Sequence, residues 1–410
     1  MSLQDTPRGE RLHIALLGRR NSGKSSLINA LSNQEAAIVS PQAGTTTDPV
    51  YRPMEILPLG PVVLIDTPGY DDEGELGALR VKKTREVFAK TDVALLVLEA
   101  TTGWTEEDRQ WLQILQSSAL PVLIVWNKID LLSTEEQKLC CQDSNDLKNI
   151  EVPSVFVSAR TGQGLTSLLD ELIKVAQERE EAPPIIADLI NPGDVVILVV
   201  PIDDSAPKGR IILPQVQTLR ELLDHQAITI VVQPENLTES ISKMASPPTL
   251  VVTDSQAFHQ VKELLPPQMA LTSFSILMAR YKGDIKELNE GLQKIEKLEP
   301  GQSVLIVEAC THRRQHQDIG TVQIPKLLEK KASGKLNFQF ASGQTMPEDL
   351  SSYNLIVHCG ACMINRKQML SRITRAKVAG VPIVNYGILL AHFAGIHARA
   401  IEPLRKISFQ

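Results

Sequence analysis

Gly18, Gly23, Lys24 and Ser25, within the stretch G-R-R-N-S-G-K-S-S from Gly18 to Ser26, stand at the spacing of a phosphate-binding loop. The residue types suit that chemistry. Glycines let backbone N–H groups close on phosphate oxygens, the Lys24 ammonium is a point charge for β- and γ-phosphates, and the Ser25 hydroxyl can ligate magnesium. Asn21, Ser22 and Ser26 complete the loop. An apolar run, Leu12 to Leu17, precedes it and a helical pattern, Ser25 to Leu31, follows, so it falls between a predicted strand and a helix whose N-terminus adds partial positive charge.

Four further motifs follow in order. A-G-T-T-T-D, Ala43 to Asp48, carries Thr46, which can complete a magnesium shell and sense a γ-phosphate. The run Val62 to Ile65 ends in D-T-P-G, where Asp66 can hold magnesium through water and Gly69 offers a flexible N–H to the γ-phosphate. The run Val122 to Trp126 ends in N-K-I-D, with Asn127, Lys128 and Asp130. The Asp130 carboxylate can accept both N1–H and N2–H of guanine, a pair of donors that adenine lacks. Val155 to Val157 leads into S-A-R, where a backbone N–H at Ser158 or Ala159 can meet guanine O6. Lys24, Thr46 and Gly69 are the candidates for the hydrolytic step. Four of the five motifs sit at predicted strand C-termini, where a doubly wound sheet places its ligand.

A second group of chemically able residues lies in the last third. The run Ser303 to Val307 leads into E-A-C-T-H, with Cys310 and His312, and Asn354 to Val357 leads into H-C-G-A-C, with His358, Cys359 and Cys362. The C-x-x-C pair alone suits a redox dithiol or half a zinc site equally. Three thiols with imidazoles nearby suit zinc or an iron–sulfur cluster, and spacing does not separate the two. A redox dithiol would leave Cys310 without a role. Cys140 and Cys141 lie in a polar stretch with no candidate co-ligand, and His225, His259, His316, His392 and His397 match no motif.

The elements that must position these residues are those of an α/β protein. At 410 residues the chain exceeds one ordinary core. With 43% hydrophobic and 22% charged residues it has the composition of a globular protein, not a disordered one. A net charge of −6 offers no basic surplus for nucleic acid or anionic membrane, no apolar run is long enough to span a bilayer, and the first ten residues have no signal-peptide core. The cytoplasm is therefore the expected compartment, and five cysteines, an odd number, argue against a disulfide framework and toward metal, catalysis or burial. The charged, proline-punctuated stretch Gln177 to Pro184 reads as a boundary. Three α/β domains are therefore expected: a doubly wound phosphate-loop domain over 1–178, a small βα module for dimerisation or spacing over 185–267, and a cysteine-bearing domain over 268–410, in which Asp284 to Lys297 reads as one amphipathic helix.

Residues 10 to about 175 resemble the translation-factor-type GTPases, a P-loop class that binds GTP and GDP with magnesium. Tyr70, Asp71 and Asp72 stand where Ras-like members carry a water-orienting Gln. Asn21 together with G-T-T-T-D is similar to the potassium-activated MnmE and Era type, in which the Asn helps hold a monovalent cation against the phosphates; a cap of the turn is the alternative role. Over nearly the whole chain, the domain order and C-x-H followed after 45 residues by H-C-x-x-C resemble the FeFe-hydrogenase maturation GTPases of the HydF family. That resemblance implies a 4Fe–4S cluster on Cys310, Cys359 and Cys362, with His312 or His358 as fourth ligand or close neighbour. It implies a scaffold that carries a diiron precursor, receives it with the help of radical-SAM maturases and delivers it to the apo-hydrogenase, working as a homodimer. The competing reading is an RNA- or ribosome-associated GTPase with a structural zinc site, against which the acidic balance and the lack of a basic, aromatic-interleaved surface both stand.

Overall fold

The buried apolar run at the start forms the central strand of the first sheet, in a computed structural model that describes residues 6–32, 37–39, 49–69, 86–118, 120–133, 135–136, 152–178, 182–202, 211–309, 318–343 and 346–408. The chain divides into two units, Met1–Glu181 and Ala182–Gln410.

The first unit contains β1 (Leu12–Leu17), α1 (Lys24–Ser32), β2 (Ala37–Val39), β3 (Val50–Ile56), β4 (Gly60–Asp66), β5 (Val93–Glu99), α2 (Glu106–Ser117), β6 (Val122–Asn127), β7 (Ser154–Phe156) and α3 (Leu165–Gln177). The sheet order is β2-β3-β4-β1-β5-β6-β7. β2 pairs antiparallel with β3 and β3 antiparallel with β4, while the pairs among β4, β1, β5, β6 and β7 are parallel. Both faces are covered, as a parallel sheet requires. Along β5, Val93, Leu95 and Val97 pack with Leu27 of α1 and Leu168 and Leu172 of α3, while Ala94, Leu96 and Leu98 pack with Trp111 and Leu115 of α2. β1 is flanked by β4 on one side and β5 on the other, so the crevice of this sheet opens directly after β1.

The second unit holds two four-stranded parallel sheets. The first comprises β8 (Val195–Val199), β9 (Ile228–Val232), β10 (Leu250–Thr253) and β11 (Leu271–Ser273), in the order β11-β10-β8-β9. α4 (Leu213–Asp224), α5 (Leu237–Ser242) and α6 (Phe258–Leu264) connect these strands, and α7 (Phe274–Lys282) follows them. β11 pairs with β10 at Val251 and Leu271, so this sheet runs past the boundary expected at 267. The second sheet comprises β12 (Ser303–Glu308), β13 (Asn337–Ser342), β14 (Leu355–His358) and β15 (Ile383–Asn385), ordered β13-β12-β14-β15. Around it stand α8 (Ile285–Glu290), α9 (Ile324–Ala332), α10 (Arg366–Val378), α11 (Tyr386–Phe393) and α12 (His397–Ser408). One continuous apolar core runs from Ile185 to Leu404 through both sheets, which makes the second and third expected domains a single compact unit.

The helix expected over Asp284 to Lys297 is broken into α8 and a 3-10 segment, Gly291–Lys297. At Gly291 a Cβ would stand 2.0 Å from the carbonyl O of Ile383, so the chain approaches β15 more closely than a side chain permits. Ile285, Leu288, Leu292 and Ile295 are all buried as the periodicity predicts.

Candidate nucleotide site and cysteine site

The phosphate loop joins β1 to α1, and its shape rests on two glycines with positive φ, Gly18 at 155° and Gly23 at 92°. A Cβ on Gly23 would meet Asn127 Nδ2 at 2.2 Å, and one on Gly18 would meet the Val97 carbonyl O at 2.3 Å. Lys24 is buried over the loop, donating from Nζ to the carbonyl oxygens of Gly18 and Arg19, each at 2.8 Å. Ser25 donates from Oγ to Asp66 Oδ2 at 2.5 Å, which brings together the two side chains expected to serve magnesium although they lie on separate elements. A cavity of about 430 Å³ opens here, lined by Arg20, Asn21, Gly23, Lys24, Ser25, Ser26, Asp66, Gly69 and Lys128 among others. Ser22 Oγ is buried beneath the loop without a hydrogen-bond partner among the described residues. An orphaned hydroxyl, an ammonium, a helix N-terminus and a magnesium-ligating pair fit a nucleotide phosphate chain with its metal.

Asn21 is exposed on the rim, with φ 62°, a left-handed conformation that Asn adopts more readily than most residues. Thr46 lies outside the described residues, as do Tyr70, Asp71, Asp72, Cys140 and Cys141. At the base end, Asn127 is buried; its Nδ2 donates to the Ser22 carbonyl O at 3.0 Å and its Oδ1 accepts from Ala159 N at 3.0 Å. Ser158 Oγ donates to Asp130 Oδ1 at 2.6 Å and accepts from Thr161 N at 3.1 Å, which orients the carboxylate that would read guanine. Lys128 takes a left-handed backbone, φ 67°, and reaches Glu99 Oε1 at 3.0 Å. The described members of the sequence-predicted set, Thr46 not among them, thus lie after β1, β4, β6 and β7 at the C-terminal ends of these strands.

One supporting residue escaped sequence reasoning. Asp108 is fully buried at the start of α2, caps Thr105 N at 3.0 Å and stands 3.4 Å from Arg19 Nε in the phosphate loop. The T-E-E-D capping box was its visible signal; the partner across space was not.

The second site lies at the C-terminal ends of β12 and β14, the point where the strand order of the last sheet reverses. Cys359 and Cys362 sit in the loop after β14, turned by Ala361 with φ 58°. Cys359 Sγ accepts from Ala309 N at 3.1 Å, and Ala309 immediately precedes Cys310. Burial pushes the Cys359 thiol up, while N–H groups of Ala309 and Ala361 and the Arg372 guanidinium pull it down and the Glu308 carboxylate adds to the rise. Cys310, His312 and His316 lie outside the described residues, and among the described residues no three metal-ligating side chains converge. The donor set that is described, two thiols on one turn with a backbone N–H aimed at sulfur, fits a thiolate-held metal group.

His358 does not face the thiols as a ligand would. Its Nε2 is 2.9 Å from Arg372 Nη1 and its Nδ1 is 2.8 Å from the Cys359 carbonyl O, so both ring nitrogens are already engaged: Nε2 accepts and Nδ1–H donates. Burial and the neighbouring Arg372 charge push its pKa down to about 3, which keeps the ring neutral. Of the roles expected for His358, the geometry provides the supporting one. Asn385, Tyr386 and Ser275 form the wall behind, with Asn385 Nδ2 donating to the Cys359 carbonyl O at 3.4 Å and Ser275 Oγ donating to Asn385 Oδ1 at 3.2 Å. His225, His392 and His397 are engaged elsewhere, with Ile190 O, Glu296 and Asn289.

Comparison with known proteins agrees with the first site. Residues 13–128 match the profile of the 50S ribosome-binding GTPases. The tRNA modification GTPase MnmE of Moorella thermoacetica is 40% identical over 172 residues, covering 41% of this chain and 35% of that protein. GTPase Der of Kosmotoga olearia is 31% identical over 176 residues, 41% of this chain and 40% of that protein. The chain thus spans well under half the length of these relatives. Among solved structures, Aquifex aeolicus Era bound to GDP.AlF4- is similar at 22% identity and TM-score 0.35, covering 54% of this chain and 92% of that one. The G domain of the T. maritima FeoB iron transporter is similar at 26% identity and TM-score 0.30, covering 41% and 100%. The first unit is a P-loop GTPase domain, the class that its loop, magnesium pair and base-reading strand ends define.

The rest of the chain matches two profiles that follow one another: the hydrogen maturase F dimerization domain over residues 185–283 and the hydrogen maturase F tetramerization domain over 286–403. With both modules behind a GTPase domain, the chain belongs to the hydrogen maturase F family. Among the described residues no helix is long and apolar enough to cross a membrane.

Proposed function

We propose that this GTPase of hydrogenase maturation is also an iron–sulfur scaffold, in which Cys310, Cys359 and Cys362 hold a 4Fe–4S cluster and the protein carries a diiron precursor to apo FeFe-hydrogenase. The observation that carries the reading is the Cys359 thiol at the strand-order reversal of the last sheet, hydrogen-bonded by the residue that precedes Cys310. A cluster bound there supplies an iron with an exchangeable position for the cargo. The chain's own part is to present thiolates, to orient the loop through Asn385 and His358, and to keep water from its back wall, where Tyr386 and Ala361 are buried. In the first unit, Lys24 and the Ser25–Asp66 pair bind phosphate and magnesium, Asn21 holds potassium against the phosphates, and Thr46 and Gly69 meet the γ-phosphate.

The cargo reaches the protein through radical-SAM maturases in the cytoplasm, the working assembly is at least a homodimer, and neither nucleic acid nor membrane takes part. The sheet of β8 to β11 serves association, and the sheet of β12 to β15 serves the cluster. Anaerobic incubation with ferrous iron and sulfide, followed by EPR of the dithionite-reduced protein, tests the reading. A reduced 4Fe–4S spectrum supports it; bound zinc with no iron contradicts it.

A further inference from the structure

Arg372 on α10 is 3% exposed. Its guanidinium donates from Nη1 to His358 Nε2 at 2.9 Å and from Nη2 to the Gly343 carbonyl O at 3.0 Å. Both acceptors are neutral, and among the described residues no carboxylate pairs with it. The same unit shows the ordinary solution at Arg280, which is equally buried and ion-paired with Asp188. A buried guanidinium with no counter-charge is strongly disfavoured, because desolvation of the cation is offset only by an anion in good geometry. His358, which accepts from this guanidinium, donates from Nδ1 to the Cys359 carbonyl O at 2.8 Å, so one imidazole ring joins Arg372 to the thiol-bearing loop.

We propose that Arg372 is the counter-charge of the anionic metal site built on Cys359 and Cys362, a positioning residue that acts on the bound group through His358 and through space. The inference rests on the iron–sulfur reading above. Three thiolates around a 4Fe–4S cluster leave a net anion, and reduction adds one electron, so a fixed buried cation favours the reduced form and raises the midpoint potential. The guanidinium also fixes the His358 ring: with Nε2 accepting from Arg372, only Nδ1 carries the proton, and that proton goes to the Cys359 carbonyl. Two neighbours bear on the sign. Glu308, buried beside Cys359, works against the anion. Arg375 adds positive charge near Arg372 but spends its own donors on the carbonyls of Pro347 and Glu348.

The test uses the full chain, reconstituted anaerobically with ferrous iron and sulfide, as parent, Arg372→Met and Arg372→Lys. The midpoint potential is read by EPR-monitored redox titration, and the thermal midpoint is read with and without the cluster. The expected result is a lower potential in Arg372→Met and a value closer to the parent in Arg372→Lys. Cluster loading should raise the thermal midpoint less in Arg372→Met than in the parent. The apo Arg372→Met protein should fold, since an apolar side chain of similar length replaces an uncompensated charge. Equal potentials in Arg372→Met and a parent that binds iron would overturn this inference alone. So would an apo Arg372→Met protein that fails to fold, because the guanidinium would then be a structural donor. A parent that takes up no iron would overturn both this inference and the iron–sulfur reading.

Discussion

Asn127 donates from its buried side chain to the carbonyl O of Ser22 at 3.0 Å, a bond that ties the base-reading strand end to the phosphate loop across 105 positions of sequence. The same amide accepts from Ala159 N, so one side chain braces three of the motifs that surround the nucleotide. Asn127→Ala would leave the Ser22 carbonyl and the Ala159 N–H without these partners, each at a cost of about 1 to 3 kcal/mol. GTP affinity measured by calorimetry should fall by roughly tenfold or more. Unchanged affinity would show that the brace is not needed.

Potassium is the second handle. Asn21 lines the cavity at the mouth of the phosphate loop and no arginine finger is visible in the motifs. GTP turnover of the parent should be magnesium-dependent and faster in potassium than in sodium, and Asn21→Ala should lose that difference while binding nucleotide nearly as before. Equal parent rates in the two salts would remove the cation from the account and leave Asn21 as a turn residue.

Base choice should rest on Asp130, whose carboxylate Ser158 holds at 2.6 Å. In Asp130→Asn an amide replaces one acceptor of the guanine donor pair, a mispairing worth on the order of 1 to 3 kcal/mol. Competition binding should show preference moving from GTP toward xanthosine triphosphate. A variant with the parent's GTP affinity would contradict the assignment.

Much of the nucleotide site was legible because its chemistry dictates residue type at strand ends, and the strands themselves are runs of Val, Ile and Leu buried on both faces. The elements that escaped have physical reasons for doing so. β3 contains Pro53, which stands just beyond the described β2 pairing at residues 54–56. β13 is an edge strand in which Asn337, Gln339, Phe340 and Ser342 are exposed, and β11 is three residues long. The break at Gly291 is set by the Ile383 carbonyl, a tertiary contact that no local pattern encodes. In the cysteine site the thiols announced themselves, whereas Arg372 and Asn385 could not, since an Arg on a helix reads as a solvated charge until its burial is seen. His358 was visible, but only the fold shows that Arg372 occupies its second nitrogen.

His358 gives the apo protein a stability term with a definite sign. Its folded pKa of about 3 lies below the usual histidine value, so on acidification the unfolded chain takes up the proton first and stability falls between about pH 6.5 and 3. From pH 7 to 5 the loss from this one ring is on the order of 2 kcal/mol. Denaturant unfolding of the apo chain at the two pH values should show a smaller decline in His358→Gln than in the parent. The same decline in both would mean that the ring is protonated in the folded protein.

The central claim is that GTP turnover and cluster delivery reside in separate parts of one chain. Activation of apo FeFe-hydrogenase tests it most directly, using protein purified from cells that also express the radical-SAM maturases, with GTP hydrolysis assayed on the same preparations. The parent should activate the hydrogenase, while Cys359→Ser should hydrolyse GTP at the parent rate and activate nothing. Activation by Cys359→Ser equal to the parent would contradict the account.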